Sequence, residues 1–122
     1  DKFFNDWLEE PVAYGAFEGE KLLGYVEGTL EKWNNRYRIS NICVFEKEAR
    51  RCGIGTQLMN IILEEAALSD ARMVVLETQT CNENAISFYK KHGFEIIGFD
   101  LYAYSNTDSK RHEVRIEMGK FL

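Results

Sequence analysis

Residues 44–62 read VFEKEARRCGIGTQLMNII. A run of strand character, Ile39 to Phe45, ends in a charged turn, and Arg50 and Arg51 follow it. Gly53-Ile54-Gly55 comes next, and Ile54, Leu58, Ile61, Ile62 and Ala66 then recur at helical spacing. Strand, glycine-rich turn and helix N-terminus together are an arrangement that binds phosphate. The first amides of a helix have no partner inside it and point outward. The helix dipole adds partial positive charge at the same end. A glycine carries no Cβ to hold an anion away from the backbone. The two arginines bring full charges and fork-shaped donors.

The spacing is not that of a nucleotide P-loop, because Thr56 follows the second glycine with no lysine before it. It is not a dinucleotide fingerprint either, since the third glycine would fall at Leu58. A glycine-containing strand-to-helix turn beside surface arginines would give the same letters with no ligand at all.

A second stretch, residues 76–94, reads LETQTCNENAISFYKKHGF. The two stretches supply R-x-x-G-x-G after a strand, then N-x-x-A-x-x-F-Y-x-x-x-G-F about thirty residues later. Together they resemble the GNAT superfamily of acetyl-CoA-dependent N-acetyltransferases, from about Val12 to the C-terminus. Trp33 to Tyr37 (W-N-x-R-Y), Leu76 to Gln79 (L-E-T-Q), Phe88-Tyr89, Gly93-Phe94 and Asp100-Leu101-Tyr102 are similar to the streptothricin acetyltransferases within it. Arg51 stands where the family pattern often has glycine, and the charged loop before it is one residue longer than the pattern.

At 122 residues the chain is read as one domain with a single core. A hydrophobic share of 45% with 13% aromatics describes a folded globule. No apolar run approaches 18 residues, so no membrane span is expected, and no secretory leader is visible. The net charge of −5 argues against nucleic acid as a partner. It suits a cationic acceptor, although an acidic surface also serves plain solubility. Cys43, Cys52 and Cys81 are odd in number and lack C-x-x-C spacing, which points to free thiols and a cytoplasmic protein. Cys43 is expected in the core. Two scattered histidines give no metal site.

Along the chain, Lys2 to Glu10 has the pattern of a helix tail stopped by Pro11. Val12 to Phe17 and Lys21 to Leu30 read as a hairpin around Glu18-Gly19-Glu20, with Gly24 and Gly28 marking a bulge or a close backbone approach. Trp33 reads as a packing residue at a hairpin end. Arg36 to Phe45 is a central strand, with Ile39, Cys43 and Phe45 on one face. A helix over Ile54 to Leu68 leads to a parallel strand, Met73 to Thr78. Asn82 caps a second helix, Glu83 to His92, and Gly93 supplies its left-handed end. Phe94 to Phe99 is a strand, Leu101 to Ser109 a long loop, and His112 to Met118 a last strand with Glu113, Arg115 and Glu117 outward. That last strand is expected to be exposed enough to pair with another copy in a homodimer. The fold expected is α/β, a GNAT-like mixed sheet. Its N-terminal strands are antiparallel, a parallel pair splays in the middle, an antiparallel hairpin ends it, and helices cover both faces.

The resemblance implies more than the letters do. Acetyl would pass from acetyl-CoA to a primary amine, with no metal. The pantetheine arm would pair with Ile42, Cys43 and Val44. Arg50, Arg51, Cys52, Gly53, Ile54, Gly55 and Thr56 would hold the pyrophosphate, and Asn82 would touch the arm while also capping its helix. Tyr89 takes the place of the family's general acid for the departing thiolate, with aromatic packing as its plainer role. Glu77 is the first candidate base. Ser40 stands where some relatives carry an acid, and Glu27 is a further acidic candidate. Glu27, Asp100 and Tyr102 are placed around the acceptor, where acid and aromatic ring suit a cationic amine. Only eleven residues precede Val12, fewer than the strand and helices that the resemblance implies before the first hairpin, so that part is expected to be either cut from this sequence or short in this member. Three functions fit: acetylation of a small cationic amine such as a streptothricin-type antibiotic, acetylation of a protein or peptide amine, and a catalytically idle CoA-binding module.

Overall fold

A computed structural model describes residues 11–45 and 52–122. It divides into two compact units, 1–74 with 122 and 75–121. The strands are β1 (Val12–Glu18), β2 (Lys21–Glu31), β3 (Arg36–Val44), β4 (Met73–Gln79), β5 (Glu95–Asp100) and β6 (Arg115–Phe121). The helices are α1 (Ile54–Leu68), α2 (Glu83–Lys91) and α3 (Asp108–Arg111). In sheet order the strands run β1-β2-β3-β4-β6-β5. β3 and β4 are the parallel pair, as a helical crossover requires. The expected tail helix at Lys2 to Glu10 lies outside the described residues, as do Arg50 and Arg51.

The first unit is a meander with α1 against it. Gly19, with φ of 62°, turns the chain between β1 and β2. α1 buries Leu58, Met59, Ile62 and Ala66. Ile61 is instead exposed, because Met59 takes its place in the stripe. The two strand glycines explain how α1 seats so low. A Cβ on Gly24 would stand 2.6 Å from the Cys43 carbonyl oxygen and 3.3 Å from Leu58 Cδ1. A Cβ on Gly28 would stand 2.5 Å from Tyr37 Cε1 and 3.2 Å from Ile62 Cδ1.

β3 departs from simple alternation. Glu27 pairs with Asn41 and Gly28 with Ile39, so Ser40 is an extra residue opposite β2. A bulge of this kind moves every later side chain to the other face. Tyr37 and Ile39 therefore share the α1 side with Ile42 and Val44, partners of Val26 and Gly24. Cys43 is turned to the opposite face and is half-buried, not a core residue. Phe45 lies past the strand end and is 50% exposed, with its ring 6.0 Å from that of Tyr25.

The W-N-x-R-Y stretch does structural work, and Trp33 packs little, being 70% exposed. Asn35 takes a left-handed φ of 54°, and its amide Nδ2 donates to the Asp70 carbonyl. Arg72 donates from its backbone to Asn35 O and from Nε to Asn34 O. These bonds fasten the β2–β3 turn to the chain leaving α1. Tyr37 is 2% exposed, and among the described residues its hydroxyl has no hydrogen-bond partner. Burial, then Glu65 and Tyr14, push its phenol up to about 12. A raised folded pKa stabilises the fold below the unfolded value near 10, and that stabilisation is lost as pH climbs towards 12. Roughly 3 kcal/mol is at stake across that interval. Tyr37→Phe is expected to unfold with little change in stability at neutral pH and with a visibly shallower loss between pH 10 and 12 in urea titrations.

The second unit runs from β4 through α2 to the β5–β6 hairpin. β4 and β6 are antiparallel, since Thr80 N donates to Val114 O and Leu122 N to Arg72 O. β6 therefore lies inside the sheet, and the edge beside it is β5. The expectation of an exposed last strand does not hold. Residues 101–109 are not all loop, because Asp108 opens α3. Asp108 is fully buried, and it accepts from Tyr104 N at 2.8 Å and Ser105 Oγ at 2.6 Å. Burial alone would raise its carboxyl pKa. The Ser105 hydroxyl, the Tyr104 and Ser105 amides and Arg111 outweigh that and hold it below its ordinary value. Among the described residues no helix is long and apolar enough to cross a membrane.

Candidate active site

In the first unit, α1 begins at Gly53, whose φ of 77° is left-handed. Among the described residues no side chain caps this helix, and no acidic residue lies in its first turn. Gln57 N already bonds Gly53 O, so the amides before it are the ones without an intrahelical partner. No described atom stands within 4 Å of where a Gly53 Cβ would be. Cys52 and Thr56 are exposed beside it. These features fit a bound anion: unpaired donors, a positive dipole end, space open among the described residues, and no carboxylate in the helix's own first turn. Ile42, Cys43 and Val44 end β3 half-buried.

Glu27 stands at the Ser40 bulge. Its carboxylate Oε1 accepts from Ser40 Oγ at 3.1 Å and from Asn41 Nδ2 at 3.2 Å. The bulge thus places a hydroxyl and an amide on the one acid that β2 presents there.

In the second unit, Asn82 is the N-cap of α2 and accepts from Ala85 N at 3.3 Å. Its amide NH2 is left to donate elsewhere. Asn82→Ala is expected to cost about 1 kcal/mol through loss of the cap, read as a fall in melting temperature. Weakened acetyl-CoA binding beyond what that instability explains would show the second role. Tyr89 lies in the last turn of α2. Its ring is 5.7 Å from Phe88 and 6.1 Å from Phe94, both edge-on. Burial raises its phenol pKa. Both the packing role and a reactive role are thus physically available to it.

Glu77 is half exposed on β4, and its Oε2 lies 2.6 Å from Arg115 Nε. Arg115 Nη2 lies 2.7 Å from Glu117 Oε1. Arg115 is the register partner of Asp100, whose Oδ1 accepts from Tyr102 N at 2.9 Å. Hydrogen bonding from Glu117 first, then the charges of Glu77 and Tyr104, raise the arginine's pKa against desolvation. Glu77 and Glu117, far apart in sequence, therefore meet around one guanidinium. Tyr102 is beside Asp100 in the chain but its ring is exposed. Arg115 and Glu117 were marked in the sequence only as outward-facing charges on a strand. Their i, i+2 spacing puts them on one face, and only the β4 neighbour shows what they meet.

The fold is of the α/β class, with a mixed six-stranded sheet. Residues 1–94 match the model of the Acetyltransferase (GNAT) family, so the chain belongs to that family. It is 39% identical over 103 residues to streptothricin acetyltransferase A of Bacillus subtilis (strain 168), covering 78% of this chain and 59% of that protein. It is 36% identical over 104 residues to N-alpha-acetyltransferase 50 of Danio rerio, covering 80% of this chain and 60% of that one. A Bacillus anthracis str. Ames protein solved in complex with acetyl coenzyme A superposes with a TM-score of 0.80 at 30% identity, covering 93% of this chain and 64% of that one. The chain spans about 60% of the length of the streptothricin acetyltransferases of Escherichia coli and Bacillus subtilis and of the Danio rerio protein.

Proposed function

We propose that this chain, acting as one domain, moves acetyl from acetyl-CoA to a primary amine on a small cationic acceptor of streptothricin type. The observation that carries this reading is the uncapped, left-handed glycine entry to α1 at Gly53, in a chain of the acetyltransferase family. The amides of Gly53 to Thr56, with Cys52 and the arginines Arg50 and Arg51, would hold the diphosphate. Ile42 to Val44 and Asn82 would meet the pantetheine arm. The three unpaired thiols support a cytoplasmic setting.

Tyr89 would hydrogen-bond the sulfur as it leaves. Glu77 would face the reacting acceptor nitrogen, with Glu27, Asp100 and Tyr102 as further acceptor contacts. A carboxylate near pKa 4.3 cannot simply take the proton of an ammonium near 10.4, because the transfer is uphill by about 8 kcal/mol. The amine must arrive neutral, and Glu77 receives the proton that nitrogen sheds once its bond to the acetyl carbon forms.

The similarity to N-alpha-acetyltransferase 50 favours one alternative, a peptide amino terminus as acceptor. Thiol release from acetyl-CoA across a panel of amines separates the two. Turnover with streptothricin-type and simple diamines supports the proposal. Turnover with peptides alone replaces it by the alternative, and no turnover with bound CoA removes both.

A further inference from the structure

Glu77 and Glu117 stand opposite one another on β4 and β6. The Thr80–Val114 and Arg72–Leu122 bonds set that register. Like charges directly opposed on a sheet repel. Arg115 resolves the conflict by dividing its guanidinium, Nε to Glu77 and Nη2 to Glu117. Asp100 faces the same arginine from β5, and Tyr104 lies within its electrostatic reach. The two glutamates and the guanidinium between them carry one net negative charge. The arginine is itself a cation seated between the two glutamates, so it displays how that pair takes a positively charged nitrogen. Only one Glu77 oxygen is used by it.

The geometry points to Arg115 as a positioning and specificity-determining residue for the acceptor. It fixes the Glu77 carboxylate, and it sets how much negative charge an incoming ammonium meets. This deepens the function proposed above and rests on it. Removing Arg115 should strengthen the field and loosen Glu77. Removing the Glu117 charge should weaken the field and leave the guanidinium wholly to Glu77.

Opposite shifts in KM follow for a polycationic acceptor. Arg115→Gln is expected to lower KM about threefold to fivefold and to lower kcat, whereas Glu117→Gln raises KM by a similar factor. Arg115→Lys keeps the charge without the fork, so KM stays near the parent value while kcat falls. Both KM shifts should shrink as salt rises through 0.1 M and beyond, where charges about 10 Å apart are screened. Acetyl-CoA affinity, measured alongside, should be the same in all three and reports on folding. KM moving in the same direction in Arg115→Gln and Glu117→Gln, or indifferent to salt, would overturn the inference. If the parent chain releases no thiol with any amine, the proposed function itself fails. If the parent turns over and Glu77→Gln matches it in KM and kcat, the function stands and only this inference falls.

Discussion

Phenylalanine in place of Tyr89 should lower kcat about a hundredfold, the usual cost of removing one donor aimed at developing charge. Acetyl-CoA affinity should stay within about twofold, because the ring that packs against Phe88 and Phe94 is retained. Free phenol and thiol differ by about 1.5 pKa units, so full proton transfer to the thiolate is already uphill by about 2 kcal/mol. Burial raises the Tyr89 phenol further and makes it a weaker acid. Hydrogen bonding to the leaving sulfur is therefore the role this site favours. The same shift keeps the phenol neutral as assay pH rises to 9, so kcat should show no descending limb from Tyr89 there. Stopped-flow thiol detection with parallel calorimetry of acetyl-CoA binding measures both quantities. Equal losses of affinity and turnover would assign Tyr89 to packing alone.

The second large effect is on stability. Gly24→Ala should cost about 2–3 kcal/mol, because the added carbon meets a backbone oxygen that cannot rotate away. A melting temperature lower by roughly 10 °C is expected for a domain of this size. The clash is with Cys43 O, and Val44 Cα is 3.3 Å from the same point. The substitution therefore pushes on the residues proposed to meet the pantetheine arm, and acetyl-CoA binding should weaken as well. A variant as stable as the parent would mean that β2 and β3 sit farther apart at Gly24 than described.

Much of the framework was legible because local signals agreed. Gly53 with the apolar spacing after it marked α1 at Ile54 to Leu68, and the structure has those bounds. Asn82 and Gly93 marked the ends of α2, and both play the parts their chemistry suggests, the cap bond and a φ of 92°. The failures came where distant residues decide. Strict alternation put Cys43 in the core, and a single extra residue at Ser40 turned it outward. Phe45 was counted with β3, and its amide does still bond Leu23 O of β2, but its side chain is half exposed and not part of a buried face. Asp108 looked like one more polar loop residue. Its burial follows from the Tyr104 amide and Ser105 hydroxyl folding back onto it. The last strand in sequence was taken for an edge, but hairpin order placed β5 there.

The candidate site divides in the same way. The glycine turn and Tyr89 belong to contiguous motifs. The ion-pair cluster around Arg115 joins β4 and β6, and no contiguous stretch contains it. Charges at i, i+2 on a strand are common enough that they carry little meaning until the neighbouring strand is known.

The most direct test is an NMR titration of the labelled chain with acetyl-CoA. The amides of Gly53, Ile54, Gly55 and Thr56 should shift together and saturate with one ligand, and free pyrophosphate should move the same resonances more weakly. Saturable acetyl-CoA binding that leaves those four amides unmoved would contradict a diphosphate held at the start of α1.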